Sequence, residues 1–155
     1  MKLEQAPVTG REHTAQLTPE MRALSEFYRA LNDRDMELMA QNWAQTDESV
    51  MDNPVGGIKR GWEEIRTVYE RVFSSPGEYW FEFHDYSFHE CGDIFYVVGR
   101  ERGEYKVGET ALAMAIRTSR VFRHIDGKWR QVHHHGSIDD PELLAAYQQA
   151  VRSNV

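Results

Sequence analysis

Apolar residues recur along the chain with two periods, and the switch between them divides it. Up to about residue 73 the spacing is helical. Leu24, Phe27, Tyr28 and Leu31 fall on one face, with Thr18 as N-cap and Pro19 at the first helical position, which predicts a helix over 19–32. The polar run Asn32-Asp33-Arg34-Asp35 ends it and caps a second short helix with the stripe Met36, Met39, Ala40 and Trp43. Residues 49–54 and 58–60 read as short strands around the Gly56-Gly57 turn. Gly61 opens a third helix over 62–73, with Trp62, Ile65, Tyr69 and Phe73 on one face, and Ser74-Ser75-Pro76-Gly77 breaks it.

From residue 79 the period is two. Phe81 and Phe83 share a face of a strand over 79–89, and the alternation slips near Asp85, because Tyr86 and Phe88 are the next apolar pair; a bulge accounts for that. The next strand, 94–102, puts Ile94, Tyr96, Val98 and Arg100 together, followed by a polar connection over 103–109. Residues 111–137 form the strongest hairpin signal, two long arms meeting at Asp126-Gly127. A last helix over 141–151 carries Leu143, Leu144, Tyr147 and Val151. Residues 1–17 are polar and aperiodic, which predicts a flexible arm ahead of a single domain, 18–155. Helices followed by strands predict an α+β fold: a curved antiparallel sheet wrapped around the N-terminal helices, a cone with a central pocket.

Composition narrows the class. A chain of 155 residues with 41% hydrophobic and 12% aromatic residues builds one sizeable core. A net charge of −7 without a basic stripe argues against nucleic acid and against an anionic membrane as partners. The lone Cys91 points to a reducing compartment, and no apolar run reads as a signal peptide or a span, so a cytoplasmic protein is expected. No cofactor is expected.

Register decides which side chains of the long hairpin face inward. A two-residue turn on Asp126-Gly127 pairs Ile125 with Lys128 and sets Ser119 opposite His134. A three-residue loop pairs His124 with Lys128, sets Arg120 opposite Val132 and Thr118 opposite His134, and lines one face with Leu112, Met114, Ile116, Thr118, Arg120 and Phe122. The second wall is the better pocket lining, and it is the register expected here.

Within that pocket Arg100 and Arg120 are the most informative pair. Two arginines in an apolar cone need partners. They either hold an anionic ligand, most simply a carboxylate gripped in bidentate fashion, or pair internally with Glu82, Asp85, Glu101 or Glu109. Alternation splits the run His133-His134-His135: one faces in, two face out beside Trp129 and Gln131. No third ligand at a suitable spacing joins the outward pair, so no metal is expected. His134 is the candidate general acid/base, and Asp85, re-aimed by its bulge, is its candidate partner. Tyr28, Trp43, Tyr96 and Thr118 are candidate walls.

Three stretches, FYRALNDRD from Phe27, DNPVGGIKRGWEEIRTVY from Asp52 and SRVFRHIDGKWRQVHHHGS from Ser119, resemble the nuclear-transport-factor-like superfamily of α+β cones. Within it they look most like the SnoaL-like polyketide-cyclase group and the association domain of calcium/calmodulin-dependent kinases. The resemblance spans roughly residues 19–137. It implies the cone fold, and in the kinase domain pocket arginines at the positions of Arg100 and Arg120, in the register expected above. That family's third pocket arginine corresponds to Gly136 here. An Asp85–His134 pair would resemble the His/Asp pairs of the superfamily's dehydratases. The ketosteroid-isomerase branch places its base where Asn53 stands, its tyrosine donor at Phe27 and its acid near 118–120, where no carboxylate occurs; an amide takes no proton at neutral pH, so all three roles are unfilled. The expected function is that of a small-molecule-binding protein, a proton-transfer enzyme of isomerase, dehydratase or cyclase type acting on an apolar carboxylate- or carbonyl-bearing ligand. The alternative is a non-catalytic association module with a vestigial pocket. Under both readings the outer sheet face, with Trp129, His133 and His135, is expected to make a homodimer.

Overall fold

The computed structural model describes residues 5–152. Helices α1 (Pro19–Asp33), α2 (Met36–Asn42) and α3 (Trp62–Ser74) interleave with the short strands β1 (Val50–Asp52) and β2 (Lys59–Arg60). The long strands β3 (Glu78–Cys91), β4 (Ile94–Val107), β5 (Thr110–Ile125) and β6 (Lys128–Ser137) follow, and α4 (Pro141–Arg152) ends the described chain. The strands form one open, curved sheet in the order β2-β1-β6-β5-β4-β3, packed on the helices, an α+β cone. Local chemistry sets the helix starts: Thr18 accepts from the Met21 amide and Asp35 from the Leu38 amide. Leu24, Phe27, Tyr28 and Leu31 of α1 are buried against the concave face. No helix among the described residues is long and apolar enough to cross a membrane.

The bulge in β3 lies where the alternation slips, between His84 and Ser87, with Asp85 at φ 49°. Three other expectations change. First, β4 does not stop at 102. It runs on to Val107 through Gly103, opposite Phe81, where an added Cβ would lie 1.8 Å from the Trp80 carbonyl oxygen. The stretch that reads as a polar connection is therefore strand, made possible by a glycine at a close backbone approach.

Second, the hairpin takes the two-residue turn, not the three-residue loop: Ile125 pairs with Lys128, and Asp126 and Gly127 have φ of 50° and 80°. An unforeseen bulge at Val132 then moves the register, so Phe122 faces Gln131 but Val121 faces His133 and Arg120 faces His134. The inner face of β5 is as expected, with Met114, Ile116, Thr118, Arg120 and Phe122 buried. On β6, however, Trp129 and Gln131 turn inward ahead of the bulge, and His134 and Gly136 after it.

Third, the expected flexible arm is docked from residue 5 on; Met1 to Glu4 lie outside the described residues. Val8 is buried and exchanges two backbone hydrogen bonds of 2.9 Å with Phe83. The Glu12 carboxylate accepts from the Thr9 and Gly10 amides. Replacing Val8 by Asp is expected to free the arm, lowering stability by about 2 kcal/mol and the melting temperature by roughly 4–8 °C. Limited proteolysis checks it: cuts within 5–17 should appear in the variant only.

Candidate functional site

Inside the cone a polar cluster sits among aromatic rings. Its centre is Arg120 on β5, only 2% exposed. The guanidinium lies over the Phe27 ring at 3.5 Å. Its Nε donates to the Tyr28 hydroxyl (3.4 Å), Nη1 to Gln131 Oε1 (2.7 Å) and Nη2 to Glu101 Oε1 (2.9 Å). The same Glu101 oxygen accepts from the Thr118 hydroxyl at 2.9 Å. Gln131 donates onward to Asn42 Oδ1 (3.2 Å), and Asn42 donates to the Ala23 carbonyl (2.8 Å). The cluster therefore draws on α1, α2, β4, β5 and β6.

Burial works against the Arg120 charge, but Tyr28 and Glu101 beside it raise its pKa, and the group stays a cation. Burial also lifts the hydroxyls of Tyr28, and of Tyr69 to about 12, so both stay protonated.

His134 is the cross-strand neighbour of Arg120. Its Nδ1 bonds the Ser119 carbonyl at 3.3 Å, so that nitrogen carries the proton and Nε2 keeps a lone pair. Burial first, then the nearby Arg120 charge, hold its pKa well below the usual histidine value. The imidazole is thus a neutral base inside the cone. Gly136 makes room for it: a Cβ there would lie 3.2 Å from the His134 ring and 3.1 Å from Pro54 Cδ.

This neutrality has a pH signature. The unfolded chain protonates His134 near pH 6.5 and the folded chain does so only well below that. Above that pH both states are neutral and His134 has no effect. Below it the unfolded state binds the extra proton, so stability drops as pH is lowered, by up to about 1.4 kcal/mol per unit. Denaturant unfolding at pH 7.5 and 5.5 should show that loss in the wild type and its absence in His134→Gln.

Of the residues singled out by sequence, Tyr28, Trp43, Thr118, Arg120 and His134 are all buried within the cone. Arg100, Tyr96 and Asp85 are not with them. Arg100 and Tyr96 lie exposed on the convex face, because the inward phase of β4 is Phe95, Val97 and Glu101. Asp85 projects into solvent at its bulge, its side chain 76% exposed and 3.9 Å from Arg100. No Asp85–His134 pair forms, and the two arginines do not converge. Sequence reading missed Gln131 and Asn42, both fully buried, and took Glu101 only as one of several ion-pair options. The signal for the inward phase of β4 was its glycines: at Gly99 a Cβ would meet Tyr86 Cβ at 2.7 Å.

On the convex face β1 runs parallel to β6, pairing Asp52 with His135. Asp52 accepts from His135 Nδ1, and His133 Nδ1 bonds the Val50 carbonyl at 2.9 Å. Among the described residues no group of three His, Cys, Asp or Glu is arranged to hold a metal ion. A surface cleft of about 650 Å³ lies between the first turns of α1 and the hairpin tips, lined by Glu20, Ala23, Glu26, Asp93, His124 and Trp129, and it meets the cluster at its outer end, where Asn42 donates to the Ala23 carbonyl and to Glu26.

Comparison with known proteins agrees with this architecture. The family model described as SnoaL-like domain matches residues 21–141. The chain is 24% identical over 142 residues to the F-box protein SKIP8 of Arabidopsis thaliana, an alignment covering 89% of this chain and 59% of that protein. Among solved structures it resembles a protein described as a candidate dehydratase of the NTF2-like family from Streptomyces avermitilis (TM-score 0.69, 19% identity, 77% of this chain and 97% of the other). It also resembles a candidate calcium/calmodulin-dependent protein kinase type II association domain from Thiobacillus denitrificans (TM-score 0.64, 24% identity, 77% and 94%). A candidate ketosteroid isomerase from Shewanella frigidimarina superposes at a TM-score of 0.66 with 15% identity, over 77% of this chain and 95% of the other. At these identities the three structures speak for the fold.

Proposed function

Since the chain belongs to the SnoaL-like domain family, we propose that it binds an apolar small molecule bearing a carbonyl or carboxylate group and moves a proton on it inside the cone. One observation carries this reading: a buried, neutral His134, the cross-strand neighbour of the permanent cation Arg120, whose Nδ1 is tied to Ser119 so that the lone pair is on Nε2. Such an imidazole nitrogen can take a proton from a bound carbonyl compound, becoming imidazolium, while the guanidinium stabilises the enolate left on the ligand. Phe27, Tyr28 and Trp43 supply the apolar wall.

In this reading a ligand would enter past α4. Gln148 donates to the Pro54 carbonyl and Arg152 to the Val55 carbonyl, each at 3.1 Å, and Tyr147 packs edge-on against Tyr105. Ala150 of α4 is buried, and Leu143, Leu144, Tyr147 and Val151 pack partly buried against the core. Proton exchange tests the reading: exchange of the α-protons of acetophenone or a similar aryl ketone into D2O should be catalysed by the wild type. It should fall about 100-fold or more in His134→Gln. Exchange that is absent in the wild type, or unchanged in the variant, would contradict it.

A second reading, an association module, is favoured by the convex face. Ile94, Tyr96 and Val98 stand in a row on β4, 37%, 40% and 46% exposed. Val121 pairs with Tyr96 and His133 with Val121, extending the row across the sheet. Such a stripe wants cover, and a second copy of the chain supplies it. Light scattering should give a dimer for the wild type and a monomer for Tyr96→Glu; a monomeric wild type would remove this reading.

A further inference from the structure

Charge balance inside the cone narrows the ligand. Among the buried described residues only Arg120 and Glu101 carry charge, one of each sign, since His134 is neutral. Glu101 sits at 2.9 Å on the Arg120 guanidinium, with Thr118 bonded to the same oxygen. That is the place a ligand carboxylate would take. Arg100, the other cation expected for such a ligand, is on the convex face, and Gly136 brings none.

We propose that Glu101 is a built-in counter-ion that sets the ligand class: the site takes an uncharged carbonyl compound and rejects a carboxylate. The inference rests on the ligand-binding reading above. A second carboxylate would leave a net negative charge in a low-dielectric interior, which is strongly unfavourable unless another cation accompanies it. A ketone or ester carbonyl carries no such penalty. It accepts a hydrogen bond from the guanidinium, which has more N–H donors than the three acceptors around Arg120 use. Glu101 thus acts as the specificity-determining residue, by occupying the anion site from within.

Acetophenone and benzoate, alike in size and different in charge, are suitable probes. In thermal melts at fixed pH and ionic strength, acetophenone should raise the wild-type melting temperature by about 5 °C near saturation, and benzoate should not. Glu101→Gln keeps the side-chain shape and leaves Arg120 unbalanced, so benzoate should now stabilise it. In Glu101→Ala, formate fits the vacated space and should raise the melting temperature where equal chloride does not. Wild type stabilised by benzoate as strongly as by acetophenone overturns the proposal. So do Glu101→Gln and Glu101→Ala variants indifferent to benzoate and formate. Formate rescue of Glu101→Ala with a wild type indifferent to both probes supports the counter-ion assignment and sinks the ligand-binding reading instead.

Discussion

Arg120→Met is expected to lower folding stability by about 3–5 kcal/mol, since it strands Glu101 in the interior without its counter-charge. For a chain of this length that is a fall in melting temperature of roughly 6–20 °C. Glu101→Met should cost a comparable amount by stranding Arg120, which is 2% exposed, and by taking from the Thr118 hydroxyl the carboxylate it donates to. The double variant should be more stable than the sum of the two losses allows, because replacing both buried charges removes the unpaired group as well as the pair. Equilibrium denaturation of the four proteins measures this directly. Additive losses would mean that the two groups do not depend on one another.

Gly103→Ala is expected to cost about 3 kcal/mol or more. Its Cβ would fall 1.8 Å from the Trp80 carbonyl oxygen and 3.1 Å from the Phe81 Cα. These are backbone atoms, which cannot rotate aside as a flexible side chain does, so β3 and β4 must separate around residues 80–81. Gly136→Ala offers a comparison: the nearest atoms are Pro54 Cδ and the His134 ring at 3.1–3.2 Å. That substitution should cost under about 1 kcal/mol and act on the His134 ring instead of on the sheet. Melting curves of the two variants separate the cases, and equal losses would contradict the close approach at Gly103.

Much of this architecture was legible because it is local. The Thr18 and Asp35 caps mark the helix starts, and the bulge at Asp85 showed itself as a slip from Phe83 to Tyr86. The inward face of β5 was readable from its alternation. Two things were not. On β4 both phases are apolar, Phe95 and Val97 inward against Ile94, Tyr96 and Val98 outward, so hydrophobicity could not choose between Arg100 and Glu101 as the inward charge. On β6 the bulge at Val132 has no glycine to announce it, and it lets Trp129 and Gln131, expected to face out, join His134 on the inner side. The cluster itself joins residues as far apart as Tyr28, Glu101 and Arg120; such contacts exist only after the sheet has closed over α1. The second arginine of the expected clamp was lost by the first ambiguity, and Gln131 as a partner of Arg120 by the second.

The state of the His134 ring is the most direct test of a neutral base inside the cone. Nitrogen-15 spectra of the histidine side chains, recorded from pH 8 to pH 5, report which ring nitrogen is protonated. His134 should stay neutral throughout, with its proton on Nδ1, and its Nε2 resonance should shift when acetophenone is added. A His134 that titrates like a free histidine near pH 6.5, or carries its proton on Nε2, would contradict the buried base and the proton transfer built on it.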